Sequence, residues 1–204
     1  QAAVNTEEIT HSVCSEMVSL GINRAHWLVF ASGIAHAERV TEKLLYFGIN
    51  AKCVHSKKSK KERDATISDF EQGKFQALVN NGILTTGFDF PGLDLIGVLR
   101  ATMSPGLWVQ MIGRGTRPCY ADGFDLTTVA GRLTAISNSA KPDCLVLDFA
   151  GNTKRLGPIN DPIIPRPKNK GGSGLAPVKV CPMCMTYNHA SVRVCENCGY
   201  EFPR

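Results

Sequence analysis

The sequence predicts an α/β layer fold, a mostly parallel sheet with helices on both faces, followed by a small module built around paired cysteines. Three observations carry this. Short runs of continuous apolar residues recur through residues 1–150 and alternate with stretches of helical period. Such runs are buried on both faces, as strands of a parallel sheet are. Proline and glycine then crowd residues 151–177, and four cysteines in two pairs follow near the chain end.

The elements are expected in this order. Residues 6–20 place Ile9, Val13, Met17 and Val18 on one helical face, with Asn5 or Thr6 as cap and Gly21 as stop. Trp27, Leu28, Val29, Phe30 and Ala31 read as a buried strand ended by Ser32 and Gly33. The next helix turns Ile34, Ala37, Val40, Leu44 and Leu45 inward and stops at Gly48. Residues 51–54 form a strand, and 59–70 form a polar helix with Ala65, Ile67 and Phe70 inward. Strands follow at 75–79 and 95–99, a helix at 105–112, and a last strand at 143–149 that contains Cys144, Leu145, Val146 and Leu147. Residues 119–143 are a long insertion before that strand, with a helix expected near 129–136. The division is a domain over 1–150, a basic Pro/Gly linker over 151–177 and a minidomain over 178–204.

Composition narrows the function classes. Of 204 residues 43% are hydrophobic and 20% charged, which suits a folded, soluble protein. No apolar run approaches the roughly 18 residues of a membrane span. No basic-then-apolar leader opens the chain, so secretion is not expected, and Gln1 in place of Met suggests a fragment or processed product. The net charge is +5. Residues 1–150 and 181–204 are each balanced, so the whole excess lies in 151–180: Lys154, Arg155, Arg166, Lys168, Lys170 and Lys179 against Asp161. A basic connector beside a neutral body suits phosphates, and suits a solvated linker equally well. Cys14, Cys53, Cys119 and Cys144 are isolated, and Cys53 and Cys144 fall in apolar runs where cysteine acts as a small hydrophobe. That usage implies a reducing compartment with one metal site, hence a cytoplasmic location.

The C-terminal module reads Cys181-Pro-Met-Cys184, a ten-residue spacer, then Cys195-Glu-Asn-Cys198-Gly-Tyr. Two-residue spacers let both thiolates of a pair turn onto one ion, and two pairs complete the tetrahedral four-sulfur set that structural zinc prefers. A module this small has almost no core, so a Zn2+ ion would supply its stability. Two disulfides or an iron centre are the rival readings. His189 lies between the pairs and is expected at the surface.

Two segments of the larger domain carry more chemistry than packing needs. Leu84-Thr85-Thr86-Gly87-Phe88-Asp89 follows a strand, and Gln110-Met-Ile-Gly113-Arg114-Gly115-Thr116-Arg117 runs off a helix. Two arginines three apart, flanked by glycines, suit phosphate oxygens and can stabilise charge on a transferred phosphoryl group. Taken alone, a surface arginine pair bound to carboxylates would look the same.

In combination these residues resemble the second RecA-like domain of superfamily 2 helicases. Gln110, Gly113, Arg114 and Arg117 match that family's motif VI, Thr86 to Asp89 resembles motif V, and Leu28 to Gly33 resembles motif IV. Leu84 to Asp94, Leu99-Arg100-Ala-Thr-Met-Ser-Pro-Gly, Val109 to Arg117, Leu145 to Gly151 and the Cys-x-x-Cys-Gly-Tyr-Glu-Phe ending resemble the RadD-like DNA repair helicases of bacteria, or a phage-encoded relative. The insertion 119–143 departs from that pattern. The resemblance implies that Arg114 and Arg117 reach the β/γ-phosphates of ATP held by an N-terminal RecA-like domain, with Arg117 as arginine finger. It implies that Gln110 positions the nucleotide or couples it to DNA, that Asp89 contacts the ribose or the hydrolytic machinery, and that Gly87 and Gly113 permit close backbone approach. Ser32, Gly33, Asn81, Thr85 and Thr86 would grip the phosphates of one DNA strand, single-stranded or at a junction, and a single-strand-binding protein is a further implied partner.

Other residues are less decisive. Lys57, Lys58, Lys60 and Lys61 could touch nucleic acid or simply solvate a helix start. Trp108 is expected to pack rather than stack a base. Asp148, at the end of the last strand, is expected to hydrogen-bond to nearby motif loops. The chain contains no Gly-x-x-x-x-Gly-Lys-Ser/Thr loop and no Asp-Glu box after a strand. The phosphate cradle and the Mg2+ carboxylate would therefore come from elsewhere, and this chain alone should be inactive. Alternatives to a helicase or translocase are a nucleic-acid-binding zinc module without motor activity, and the motor part of a restriction-type enzyme.

Overall fold

The computed structural model describes residues 7–84, 88–163 and 178–203. In chain order it contains α1 (Glu7–Gly21), β1 (Trp27–Phe30), α2 (Ile34–Tyr46), β2 (Ala51–His55), α3 (Lys60–Glu71), β3 (Ala77–Asn81), β4 (Leu95–Val98), α4 (Pro105–Gly113), α5 (Val129–Ser137), β5 (Leu145–Asp148), α6 (Asn152–Leu156), β6 (Val178–Val180) and β7 (Tyr187–His189). The chain divides into two compact units. One is Gln1–Ala101 with Gln110–Ala150, and the other is Thr102–Val109 with Gly151–Arg204.

In the first unit five strands form one sheet in the order β2-β3-β1-β4-β5, every pair parallel. This is the α/β parallel architecture that the apolar runs imply. The central strand β1 is buried along its whole length. Trp27 and Val29 join a core with Cys14 and Met17 of α1 and Ala37, Val40 and Leu44 of α2. Leu28 and Phe30 point to the opposite face, by the period of two, and are just as buried.

Several details differ from the sequence pattern, each for a packing reason. The buried stripe of α1 is Thr10, Cys14, Met17 and Gly21, not Ile9, which is exposed. Three of those four are small or polar, and hydropathy alone underrates them. On α2, Leu45 is exposed whereas His36 and Thr41 are buried. Thr41 is tolerated there because its hydroxyl donates to the Ala37 carbonyl at 2.7 Å. In α3 only Phe70 is fully buried and Ala65 is exposed. Strand β3 begins at Ala77 rather than at 75, since Phe75 packs on Phe70 instead of entering the ladder. Helix α2 ends where Gly48 takes φ +83°, a left-handed conformation that costs most side chains 1–2 kcal/mol or so. Ser59 and Glu62 form a reciprocal capping box at the start of α3.

In the second unit the front of the expected linker is folded. Asn152 of α6 accepts the Thr102 amide at 2.9 Å, and the buried Trp108 indole donates to the Gly157 carbonyl at 3.1 Å. Trp108 is thus a packing residue, as expected. Residues 164–177, with Arg166, Lys168, Lys170 and the Gly171-Gly172-Ser173-Gly174 run, lie outside the described residues. Strands β6 and β7 pair antiparallel at the start of the cysteine module. Among the described residues no helix is long and apolar enough to cross a membrane.

One buried carboxylate fixes the entry to the sheet. Asp94 is almost fully buried, and its oxygens accept the amides of Ala25 at 2.7 Å and His26 at 2.8 Å. It thereby ties the start of β1 to the start of β4. Asp94→Ala should leave both amides without an acceptor and lower stability by about 2–3 kcal/mol in urea unfolding. A loss below about half a kcal/mol would contradict this role.

Candidate functional site

Because all five strands of the sheet run the same way, their C-terminal ends share one edge, where α/β folds display functional groups. Ser32 and Gly33 follow β1, Asn81 ends β3 and Asp148 ends β5. Asn81 donates its side-chain amide to the Ala31 carbonyl at 3.1 Å and so ties the tip of β3 to the tip of β1. Its neighbour Asn80 is buried, and its Oδ1 accepts the amides of Ile83 and Leu84 at 3.0 and 3.1 Å, which shapes the first turn of the following loop. Thr85, Thr86 and Gly87 lie outside the described residues. The Ser32 hydroxyl lies 2.7 Å from His36 Nδ1, and the Ser32 amide also donates to that nitrogen. Burial lowers the His36 pKa, which favours the neutral ring. With Nδ1 accepting, the Ser32 hydroxyl proton is already engaged, and any further acceptor would have to compete for it. Gly33 is the N-cap of α2. Asp148 accepts the Ala150 amide at 3.2 Å.

The second segment starts at the end of α4. Gln110 is exposed on that helix and Gly113 closes it. The chain then turns sharply onto the sheet. A Cβ at the buried Gly115 would lie 2.5 Å from Cys144 Sγ and 2.9 Å from Ile96 Cδ1, so only glycine lets the turn sit this close. The turn sends both arginines to one point. Arg114 Nη1 donates to the Phe88 carbonyl at 2.5 Å, and Arg117 Nη1 donates to the same oxygen at 3.3 Å. Arg117 Nη1 is also 2.5 Å from Asp89 Oδ1. Burial first, and then the neighbouring charge of Arg117, press the Arg114 pKa down, while Asp89 opposes the shift. Both arginines are half-buried, neither sealed in the core nor fully in water. The structure thus brings Phe88, Asp89, Arg114 and Arg117 together, with Gln110 one helical turn upstream. Such forks can exchange a carbonyl and a carboxylate for phosphate oxygens.

The four cysteines form a second cluster. The Sγ atoms of Cys181, Cys184, Cys195 and Cys198 all lie within 4.8 Å of one another. The pairs Cys181–Cys198 and Cys184–Cys195 are 3.5 and 3.6 Å apart, close to the edge of about 3.8 Å expected for a tetrahedron of sulfurs 2.3 Å from zinc. No two are joined as a disulfide. Matching turns hold both pairs. Met185 N donates to Cys181 O and Gly199 N to Cys195 O, each at 2.9 Å, and both residues have positive φ. The Cys184 thiol is lowered to about 5, first by its hydrogen bond with Thr186. This donor set fits a metal ion. His189 is not part of it; the ring is half-buried, 2.6 Å from Ser191 Oγ and 3.0 Å from Asp161.

Sequence reasoning missed the Phe88 carbonyl, because a backbone acceptor carries no residue signature. It also missed Asn80 and His36. The Asn80-Asn81-Gly82 run after an apolar stretch was a usable turn signal for the first; nothing marks the second. Lys57, Lys60 and Lys61 are exposed before or within the first turn of α3.

The helicase conserved C-terminal domain family matches residues 10–119, which cover β1, the loop after β3 and the whole arginine turn. The chain belongs to this family. This helicase domain is 33% identical over 158 residues to irc3 of Schizosaccharomyces pombe, named as a mitochondrial ATP-dependent helicase. That match spans 78% of this chain and 22% of the relative. It is 32% identical over 102 residues to DDX52 of Rattus norvegicus, named as an ATP-dependent RNA helicase, across 50% of this chain and 17% of that one. The helicase domain therefore spans less than a quarter of either relative. In fold it is similar to Saccharomyces cerevisiae Dbp5 bound to RNA and ADP BeF3, with a TM-score of 0.50 and 20% identity over 73% of this chain and 40% of that one.

The cysteine geometry predicts one tightly bound metal ion per chain by elemental analysis. Cys184→Ser or Cys198→Ser should lose that ion and make the module cleavable by protease, while the parallel sheet melts as before. Full metal content in both variants would contradict a four-sulfur site.

Proposed function

We propose that this helicase domain is the second RecA-like lobe of an ATP-dependent DNA helicase or translocase of the RadD-like kind, completed by a structural zinc ribbon. The convergence of Arg114 and Arg117 on the Phe88 carbonyl beside Asp89 carries the reading. It places two partly exposed guanidinium groups on a turn that glycine allows to sit hard against the sheet. In the proposed roles Arg117 stabilises charge on the transferred phosphoryl group of ATP, and Arg114 holds the β/γ-phosphates. Gln110 couples the nucleotide to the bound strand, and Asp89 and Gly87 shape the nucleotide edge with Gly113.

Ser32, Gly33, Asn81, Thr85 and Thr86 would hold strand phosphates with hydroxyls and amides, which read no bases. Mg2+, when bound with ATP, would neutralise the β- and γ-oxygens from carboxylates on the other lobe. Zn2+ would sit among Cys181, Cys184, Cys195 and Cys198, a closed set with no open position for chemistry. A lone lobe without a phosphate loop should turn over no ATP.

The choice of DNA rests on the RadD-like ending of the sequence alone: of the relatives, DDX52 is named as an RNA helicase, and irc3 is named as an ATP-dependent helicase with no nucleic acid specified. The test is ATPase activity of the complete gene product with single-stranded DNA, a DNA junction or RNA as activator. DNA should stimulate turnover, and Arg117→Ala should lower it about a thousandfold or more with the fold intact by circular dichroism. Stimulation by RNA alone would replace DNA as the substrate. Unchanged turnover in Arg117→Ala would overturn the assignment of the arginine finger.

A further inference from the structure

The insertion at 119–143 ends in a lysine with an unusual placement. Lys141 is nearly fully buried, only 4% exposed, although its type is almost never inside. Its ammonium donates to the Gly115 carbonyl at 2.8 Å and to the Arg117 carbonyl at 2.6 Å. Among the described residues no carboxylate forms a salt bridge with it. Burial lowers its pKa, so the site holds a cation against a desolvation penalty. An apolar side chain there would leave both carbonyls without their donor, so the lysine and the turn it bridges are tied together.

We infer that Lys141 is a positioning residue that sets the backbone of the arginine turn and, through it, the reach of Arg117. This rests on the arginine-finger reading above. The turn leaves α4 at Gly113, and its remaining carbonyls no longer follow a helical ladder. Gly115 makes the close approach possible but is itself permissive, so something must select one conformation. A single ammonium bridging two carbonyls two residues apart does so, because tetrahedral N–H donors can serve both where a neutral amide rarely could.

The rest of the insertion holds that ammonium in place. Thr128 caps α5 by accepting the Gly131 amide at 3.0 Å, Ala121 N donates to Ala135 O at 3.0 Å, and Lys141 N donates to Ser139 Oγ at 3.1 Å. Exposed Val129 and Leu133 show that α5 adds little to the core. The segment then serves as a strut whose end point is the lysine.

The test uses the complete gene product with its nucleic-acid activator and follows single-turnover ATP hydrolysis, so that slow variants stay readable. Lys141→Met, which keeps the stem and removes the donors, should lower kcat about ten- to a hundredfold, as expected for a small misplacement of a reacting group. KM for ATP should move less than about twofold, because binding and transition-state contacts separate in this way. Lys141→Gln should behave alike. Lys141→Met added to Arg117→Ala should cause no further loss, since the lysine acts only through that arginine. Wild-type kcat in both lysine variants, a multiplied loss in the double variant, or loss of the cooperative melt in both would each overturn the inference. If Arg117→Ala itself turns over normally, the arginine-finger reading fails first and takes this inference with it.

Discussion

One backbone oxygen organises the most unusual part of this chain. The Phe88 carbonyl accepts both Arg114 and Arg117, and the adjacent Asp89 carboxylate offsets part of their charge. Burial, and after it the repulsion between two guanidinium groups at this spacing, presses the Arg114 pKa down. They stay together because a carbonyl has two lone pairs and because Gly115 lets the turn settle onto Cys144 and Ile96. The loop after β3 and the turn after α4 are therefore not independent. Moving either one changes what both arginines can reach.

That coupling depends on the sheet. Parallel strands bring Ala31, Asn81 and Asp148 to one edge, and the Asn80 and Asn81 side chains then shape and tether the β3 tip. The aromatic group of Phe70, Phe75, Phe88 and Phe90 anchors the far end of the same loop. Phe88 thus serves twice. Its ring is buried against Phe70 while its carbonyl faces the arginines, so the packing of a hydrophobic side chain sets the position of a polar acceptor. A switch that replaces this acceptor by phosphate oxygens would need no rearrangement of the core.

Much of the fold was legible in the sequence. Continuous apolar runs such as Trp27 to Phe30 and Leu95 to Val98 fixed the strands, and the Cys-x-x-Cys pairs announced their own cluster. What failed was decided by tertiary packing. Thr10 and Thr41 are buried although polar, and Ile9 and Leu45 are exposed although apolar, because helix-to-helix approach selects for size and for local hydrogen bonding as well as for hydropathy. The front of the Pro-rich connector folds into α6 because Asn152 finds the Thr102 amide, a partner 50 residues away. The arginine site was legible as residue types at a spacing. Its acceptor and its buried lysine were not, since a carbonyl has no letter in the sequence and a lone lysine in an insertion resembles any surface lysine.

The most direct measurement is a structure of the complete gene product trapped with ADP and an aluminium fluoride, a mimic of the transferred phosphoryl group. The proposed function predicts that Arg117 will have left Asp89 and that its guanidinium will lie about 3 Å from the fluoride, across a closed cleft. If both arginines stay on the Phe88 carbonyl while the fluoride is held entirely by other residues, they are internal braces and the proposed role is wrong.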